Sequence, residues 1–178
     1  MSVIERLKSV YRKRQIQKER IRESELVNSY IKGGRKPWSP GYNLYKNKYL
    51  KSVLSDDSFI QKFKEDDKLP PEYGEKLDER VVEYPWFLSR IEKDGGRILD
   101  AGSSINHLFI LEHPNIYEKE LTIMTLEPES KCFWNKRISY QYSDIRKMPF
   151  KDEYFDEVVS ISTLEHVGMD NSLYSDNE

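Results

Sequence analysis

Arg97-Ile98-Leu99-Asp100-Ala101-Gly102 opens the series that decides the fold. Next, Leu121-Thr122-Ile123-Met124-Thr125-Leu126 runs into Glu127, and Ile138-Ser139-Tyr140-Gln141-Tyr142 precedes Ser143-Asp144. Asp156-Glu157-Val158-Val159-Ser160-Ile161-Ser162 then leads into Thr163-Leu164-Glu165-His166. A β-branched or aromatic run that stops at a small or acidic residue reads as a buried parallel strand with a ligand-facing carboxyl end. Four such runs, most of them a helix length apart, predict an α/β fold: an open parallel sheet of about four strands that holds a polar, nucleoside-like ligand.

From about Arg97 onward the series resembles the class I S-adenosylmethionine (SAM) dependent methyltransferases. Asp100-Ala101-Gly102, with Ser103 behind it, is similar to their first motif. The resemblance implies a Rossmann-like SAM-binding sheet in which this turn passes close to the methionine part of SAM. It further implies that Glu127, followed by Pro128, grips both ribose hydroxyls, and that Asp144 meets the adenine amino group with Ile145 beside the ring. Met148-Pro149-Phe150-Lys151-Asp152-Glu153-Tyr154-Phe155-Asp156-Glu157-Val158-Val159 is similar to the family's approach to its fourth strand, and Leu164-Glu165-His166-Val167 to the motif that follows. These two matches are the specific ones, because fold class alone does not dictate such sequences. Ser162, ending that strand, joins the expected cofactor set, and Glu165 and His166 fall where the family places the methyl acceptor.

Elementary chemistry supports the same assignment. Two neighbouring ribose hydroxyls can both donate to one carboxylate at a strand end. A strand-to-helix turn offers free backbone N–H groups, and a glycine there permits close approach. The SAM sulfonium is cationic, so an acidic lining suits it, whereas a dinucleotide site calls for G-x-G-x-x-G beneath its pyrophosphate. That pattern does not occur, which disfavours an NAD- or nucleotide-binding Rossmann protein. His166 would serve as general base for an O- or N-acceptor, while in-line positioning alone also suffices for methyl transfer. Glu165 is read either as an acceptor-side group or as a helix cap. His107 and His113 read as surface residues, and the three histidines and one cysteine show no metal spacing.

The chain departs from the family pattern in three places. The later glycine positions of the first motif hold Ser104 and Asn106, so the turn must be made differently. Asp100 and Glu127 are 27 residues apart, against roughly 20 in a compact nucleotide-binding unit. Glu112-His113-Pro114 is read as the end of the intervening helix, with Asn115 to Lys119 as added loop, and Glu129 is the rival to Glu127 for the ribose. Finally, only four of the family's seven strands are recognised, so the fourth would be an edge with Val158, Val159 and Ile161 exposed. The expectation is a SAM-binding half that needs a complementary chain or C-terminal half, poorly soluble and inactive alone. A non-catalytic SAM-fold binding or scaffold fragment is the alternative.

Composition sets the remaining bounds. The chain has 178 residues, 37% hydrophobic and 34% charged, with a mean hydropathy of -0.79. A single cysteine, Cys132, allows no intrachain disulfide, and with no signal peptide or apolar run near 18 residues the expected location is cytoplasmic. The net charge of -2 hides an asymmetry: Met1 to Lys36 carries eleven Lys and Arg against four Glu. Residues 1–36 are read as a basic helical arm, 37–94 as a helical cap or linker region, and 95–178 as the methyltransferase domain. In the arm, Val3, Ile4, Leu7, Val10 and Tyr11, and again Leu26, Val27, Tyr30 and Ile31, recur at helical spacing before Gly33-Gly34. It reads as a solvated helix packing at its two ends, or as a basic surface for weak contact with anionic lipid, nucleic acid or a charged carrier. Interleaved aromatics of the nucleic-acid kind are sparse. Tyr42, Tyr45 and Tyr49 start a second helix, Asp56-Asp57-Ser58 caps a third over Phe59, Ile60 and Phe63, and Leu77 to Ile91 forms a fourth with Val81, Val82, Phe87, Leu88 and Ile91 inward. The tyrosines are assigned to packing before any substrate pocket, and the acceptor to a small molecule or a glycan- or lipid-linked group.

Overall fold

The computed structural model describes residues 3–169 and divides into two compact units, one up to Pro85 and one from Trp86 onward. The first contains helix α1 (Val3–Lys32), α2 (Tyr42–Leu54), α3 (Asp57–Lys64) and the start of α4 (Arg80–Arg90). α1 ends where Gly34 turns into the left-handed region at φ 82°. Only its last turns are sheltered, with Tyr30 buried and Leu26 and Val27 half-buried. The expected packing at both ends is therefore corrected: Ile4, Leu7, Val10 and Tyr11 lie in solvent. Gly41 starts α2 at φ 91°, and a Cβ there would meet the Leu26 carbonyl oxygen at 2.5 Å. Only glycine permits that approach.

The tyrosines of this unit pack and hold backbone. Tyr42 and Leu50 are buried with Val53, Leu54, Phe63, Val81 and Tyr84. The Tyr42 hydroxyl accepts from the Asp78 N–H at 2.8 Å, and that of Tyr49 from the Gly74 N–H at 3.0 Å. Burial, together with the nearby Asp78 carboxylate, pushes the Tyr42 pKa up to about 12. Pro85 lies inside α4 and brings no N–H to the Val81 carbonyl one turn earlier. Tyr73 replaces it, its hydroxyl donating to that carbonyl at 2.5 Å. α4 is shorter than the predicted Leu77–Ile91 helix, and Val82 faces solvent at 45% exposure rather than inward. Asp56 caps α3 as expected, accepting from the Ser58 N–H at 2.9 Å.

The second unit is built on four parallel strands, β1 (Arg97–Ala101), β2 (Glu120–Thr125), β3 (Ile138–Tyr142) and β4 (Glu157–Val159), in the order β3-β2-β1-β4. This is a Rossmann-like α/β sheet. Register fixes its two faces. Ile98 pairs with Leu121, Asp100 with Ile123, and Leu121 in turn with Ile138. All five are buried, as are Leu88, Ile105, Ile110, Leu111 and Ile116. On the other face Leu99, Ala101 and Met124 are covered by Ile145, Phe150 and Phe155.

Two sequence expectations fail here for local reasons. The β1–β2 connection is not one helix ending at Pro114 but two single turns, α5 (Leu108–Leu111) and α6 (Pro114–Tyr117). Pro114 cannot continue a helix yet suits the first position of a new one, which His113 caps by accepting from the Asn115 N–H at 3.2 Å. The Asn115–Lys119 segment is thus structured, and the Asn115 amide donates to the carbonyls of Leu88 and Ile91. β4 is also shorter than the predicted Asp156–Ser162. Beyond Val159 the Ser160 hydroxyl donates to the Ala101 carbonyl at 3.0 Å, so a side chain stands where the ladder would go on. Among the described residues β1 is the only neighbour of β4, and Val158 is 63% exposed.

Lys119 fixes β4 at its other end. Its side chain is 0% exposed, and its Nζ lies 2.7 Å from Asp94 and 2.5 Å from Glu157. Burial alone would lower the ammonium pKa, but the hydrogen bonds to Asp94 and Glu157 outweigh it and leave the pKa raised. No described helix is long and apolar enough to cross a membrane.

Candidate functional site

The turn after β1 is organised from beneath by Asp100. This carboxylate is fully buried, accepting from the Ser104 N–H at 3.1 Å and the Ile105 N–H at 2.9 Å. It therefore shapes the turn and is not part of the open lining. Ala101 is buried as well. Gly102 is required twice over. Its φ is +123°, and a Cβ built there would sit 2.0 Å from Thr163 Oγ1. The side a residue would fill is already taken by Thr163, from the segment after β4. Ser103 follows at φ 61°, and Ser162 on the facing segment at φ 49°, two non-glycine residues in the left-handed region.

The residues at the family's missing glycine positions turn out to be staples. The Ser104 hydroxyl donates to the Ile161 carbonyl at 2.6 Å and ties the β1 turn to the β4 segment. The Asn106 amide donates to the Lys131 carbonyl at 3.0 Å, and its oxygen accepts from the Tyr140 hydroxyl at 3.0 Å. Tyr140 in turn accepts from the Phe133 N–H at 2.9 Å, so the β1 turn is also bound to the segment after β2. Ser104, Asn106, Tyr140 and Thr163 were not among the expected site residues. The sequence signal was present only as the loss of two glycines.

Around this turn stand three acidic side chains with different surroundings. Glu127 is exposed beyond the end of β2, as is Pro128. Glu129 is half-buried and accepts from the Ser103 hydroxyl, so the structure brings it, not Glu127, against the first turn. Asp144 caps the 3-10 turn Ile145–Lys147 by accepting from the Arg146 N–H at 2.8 Å. Both its oxygens also accept from the Arg146 guanidinium, and that side chain foremost holds the carboxyl below the usual carboxylate range. Ile145 is half-buried against the Leu99–Met124 cluster. Glu165 and His166 lie exposed on the 3-10 turn Leu164–His166. No group of three or more His, Cys, Asp or Glu among the described residues is arranged to hold a metal ion.

The hydrogen-bond acceptors here suit a diol and a positive centre. Glu127 offers free carboxylate oxygens to a diol, and Ser103 and Glu129 put a hydroxyl and a second carboxylate beside the glycine turn. A separate depression of about 450 Å³ lies at the opposite, amino ends of the strands, lined in part by Arg97, Thr122, Arg137, Ser139 and Tyr154. Its position matches none of the expected site residues. In comparison with known proteins, residues 101–175 match the family described as "Methyltransferase domain". No curated protein and no solved structure matches the chain.

Proposed function

We propose that this chain, whose sheet unit is a class I SAM-dependent methyltransferase domain, binds SAM at the carboxyl ends of β1, β2 and β3 and transfers its methyl group to an O, N or C nucleophile. The observation that carries the reading is the exposed Glu127 just beyond β2, together with a glycine turn after β1 already stiffened by Asp100, Ser104 and Asn106. Glu127 would hold the ribose hydroxyls, and Glu129, through Ser103, would keep the turn in place. Asp144 and Ile145 would meet the adenine, and Ser162 would close the site from the β4 side. When bound, SAM supplies an electrophilic methyl group on a sulfonium, whose charge the nearby carboxylates favour. His166 and Glu165 stand on the segment that would face an acceptor, either a small molecule or a glycan- or lipid-linked group. There His166 can take the acceptor's proton.

Two observations favour a second reading, a SAM-fold module without catalysis. Arg146 occupies both Asp144 oxygens, and Thr163 already fills the Cβ side of Gly102. Calorimetric titration with SAM and with S-adenosylhomocysteine tests the binding step. Transfer of labelled methyl from SAM to candidate acceptors, compared between the wild type and His166→Ala, tests the chemistry. Binding without transfer would favour the second reading, and absence of binding would overturn the enzyme and the binding module alike, leaving only a scaffold.

A further inference from the structure

The first three turns of α1 carry a surface that the methyltransferase reading does not use. Ile4, Leu7 and Tyr11 are each about two thirds exposed and Val10 nearly half. At about 100° per residue these four side chains fall within an arc of about 120° centred on Leu7. Arg6, Lys8, Arg12 and Lys13 occupy the flanks and back of the same turns, with Glu5 the one acidic side chain among them. The apolar stripe does not run on as a coiled-coil seam. Arg14 and Lys18 take its next positions, and in a paired helix these would set like charges against each other. The same two cations suit an anionic plane, which accepts apolar side chains and neutralises bases at one depth.

We propose that residues 4–18 of α1 form a membrane-surface helix that lies on anionic lipid, with Ile4, Leu7, Val10 and Tyr11 inserted at the headgroup boundary and the flanking Lys and Arg bound to phosphates. Apolar burial and electrostatic attraction are both needed for such binding, and either alone leaves it weak. The helix thereby holds the chain at a lipid surface through a contact separate from the nucleoside site.

The test uses the whole chain in flotation with phosphatidylcholine vesicles and with vesicles in which part of that lipid is replaced by phosphatidylserine. Binding is expected to the anionic vesicles alone and to fall as salt is raised. The double substitution L7Q/Y11Q, which leaves the charge unchanged, should weaken it about tenfold or more. K8Q/R12Q/K13Q should weaken it by a similar factor. All these positions are exposed, so far-UV circular dichroism and SAM titration should match the wild type. Equal partition onto neutral and anionic vesicles would overturn the proposal, as would wild-type binding by L7Q/Y11Q. So would a dimer in light scattering that L7Q/Y11Q abolishes, or binding to RNA in place of vesicles.

Discussion

β1 and the turn after β2 each carry an acid, Asp100 and Glu127, and the two acids live in opposite surroundings. Asp100 is sealed beneath its turn with two backbone N–H donors, whereas Glu127 stands in solvent beyond its strand. An acid that organises backbone has its charge spent on the fold, while one left exposed retains its hydrogen-bonding capacity for a ligand. The difference separates the residues that build the site from those that would fill it, and it can be broken by substitution.

The largest effect is expected from Asp100→Ala. It strands two sheltered N–H groups, each costing about 1–3 kcal/mol, so denaturant unfolding should show a loss of about 3 kcal/mol or more. A variant as stable as wild type would show that Asp100 does not hold the turn. Gly102→Ala comes next, at about 2–3 kcal/mol, since it adds a clash with Thr163 to an unfavourable φ. Combining it with Thr163→Ala should recover part of that loss but not the part due to φ, which a double-mutant cycle would reveal.

Glu127→Ala should leave unfolding unchanged and weaken SAM binding by about 1.5–3 kcal/mol, the scale of charge-assisted hydrogen bonds. A greater loss from Glu129→Ala, measured in the same titration, would transfer the ribose contact to the acid that already meets Ser103. A smaller effect concerns Asp144. Because Arg146 holds its folded pKa below the unfolded value, its contribution is present above the usual carboxylate range and lost as pH falls through the lowered pKa. Arg146→Gln should raise that pKa, so the loss is smaller and complete at higher pH, and carboxyl chemical shifts followed by NMR would register the move. Smallest of all, Ser162→Gly should stabilise by less than about 1 kcal/mol, by removing a left-handed serine.

The sheet was legible because burial on both faces writes itself into sequence as short β-branched runs; β1, β3 and β4 fall inside the predicted runs, and β2 starts one residue ahead of its run, at Glu120. The acids were legible as strand-end residues, but not their division of labour. Burial of Asp100 depends on a turn whose N–H groups fold back over it, and Glu129 gains its contact only through Ser103. The staples of Ser104 and Asn106 were hidden because each joins segments 25 or more residues apart. No local pattern records such a pairing. Pro114 did signal a break, yet a proline that stops one helix is equally fitted to start another. The exposed start of α1 escaped notice because helical spacing reports a shared face without reporting what covers it.

Lys119 offers a clock. A lysine with no exposed side-chain surface, held between Asp94 and Glu157, cannot meet an amine-reactive reagent until the base of β4 lets go. Its acylation rate, followed by mass spectrometry against the exposed lysines of the same chain, therefore counts local openings rather than collisions. A ligand seated on the far end of the sheet would slow that count only if it also steadied β4. One buried amine thus makes the breathing of β4 measurable without any label being engineered into the protein.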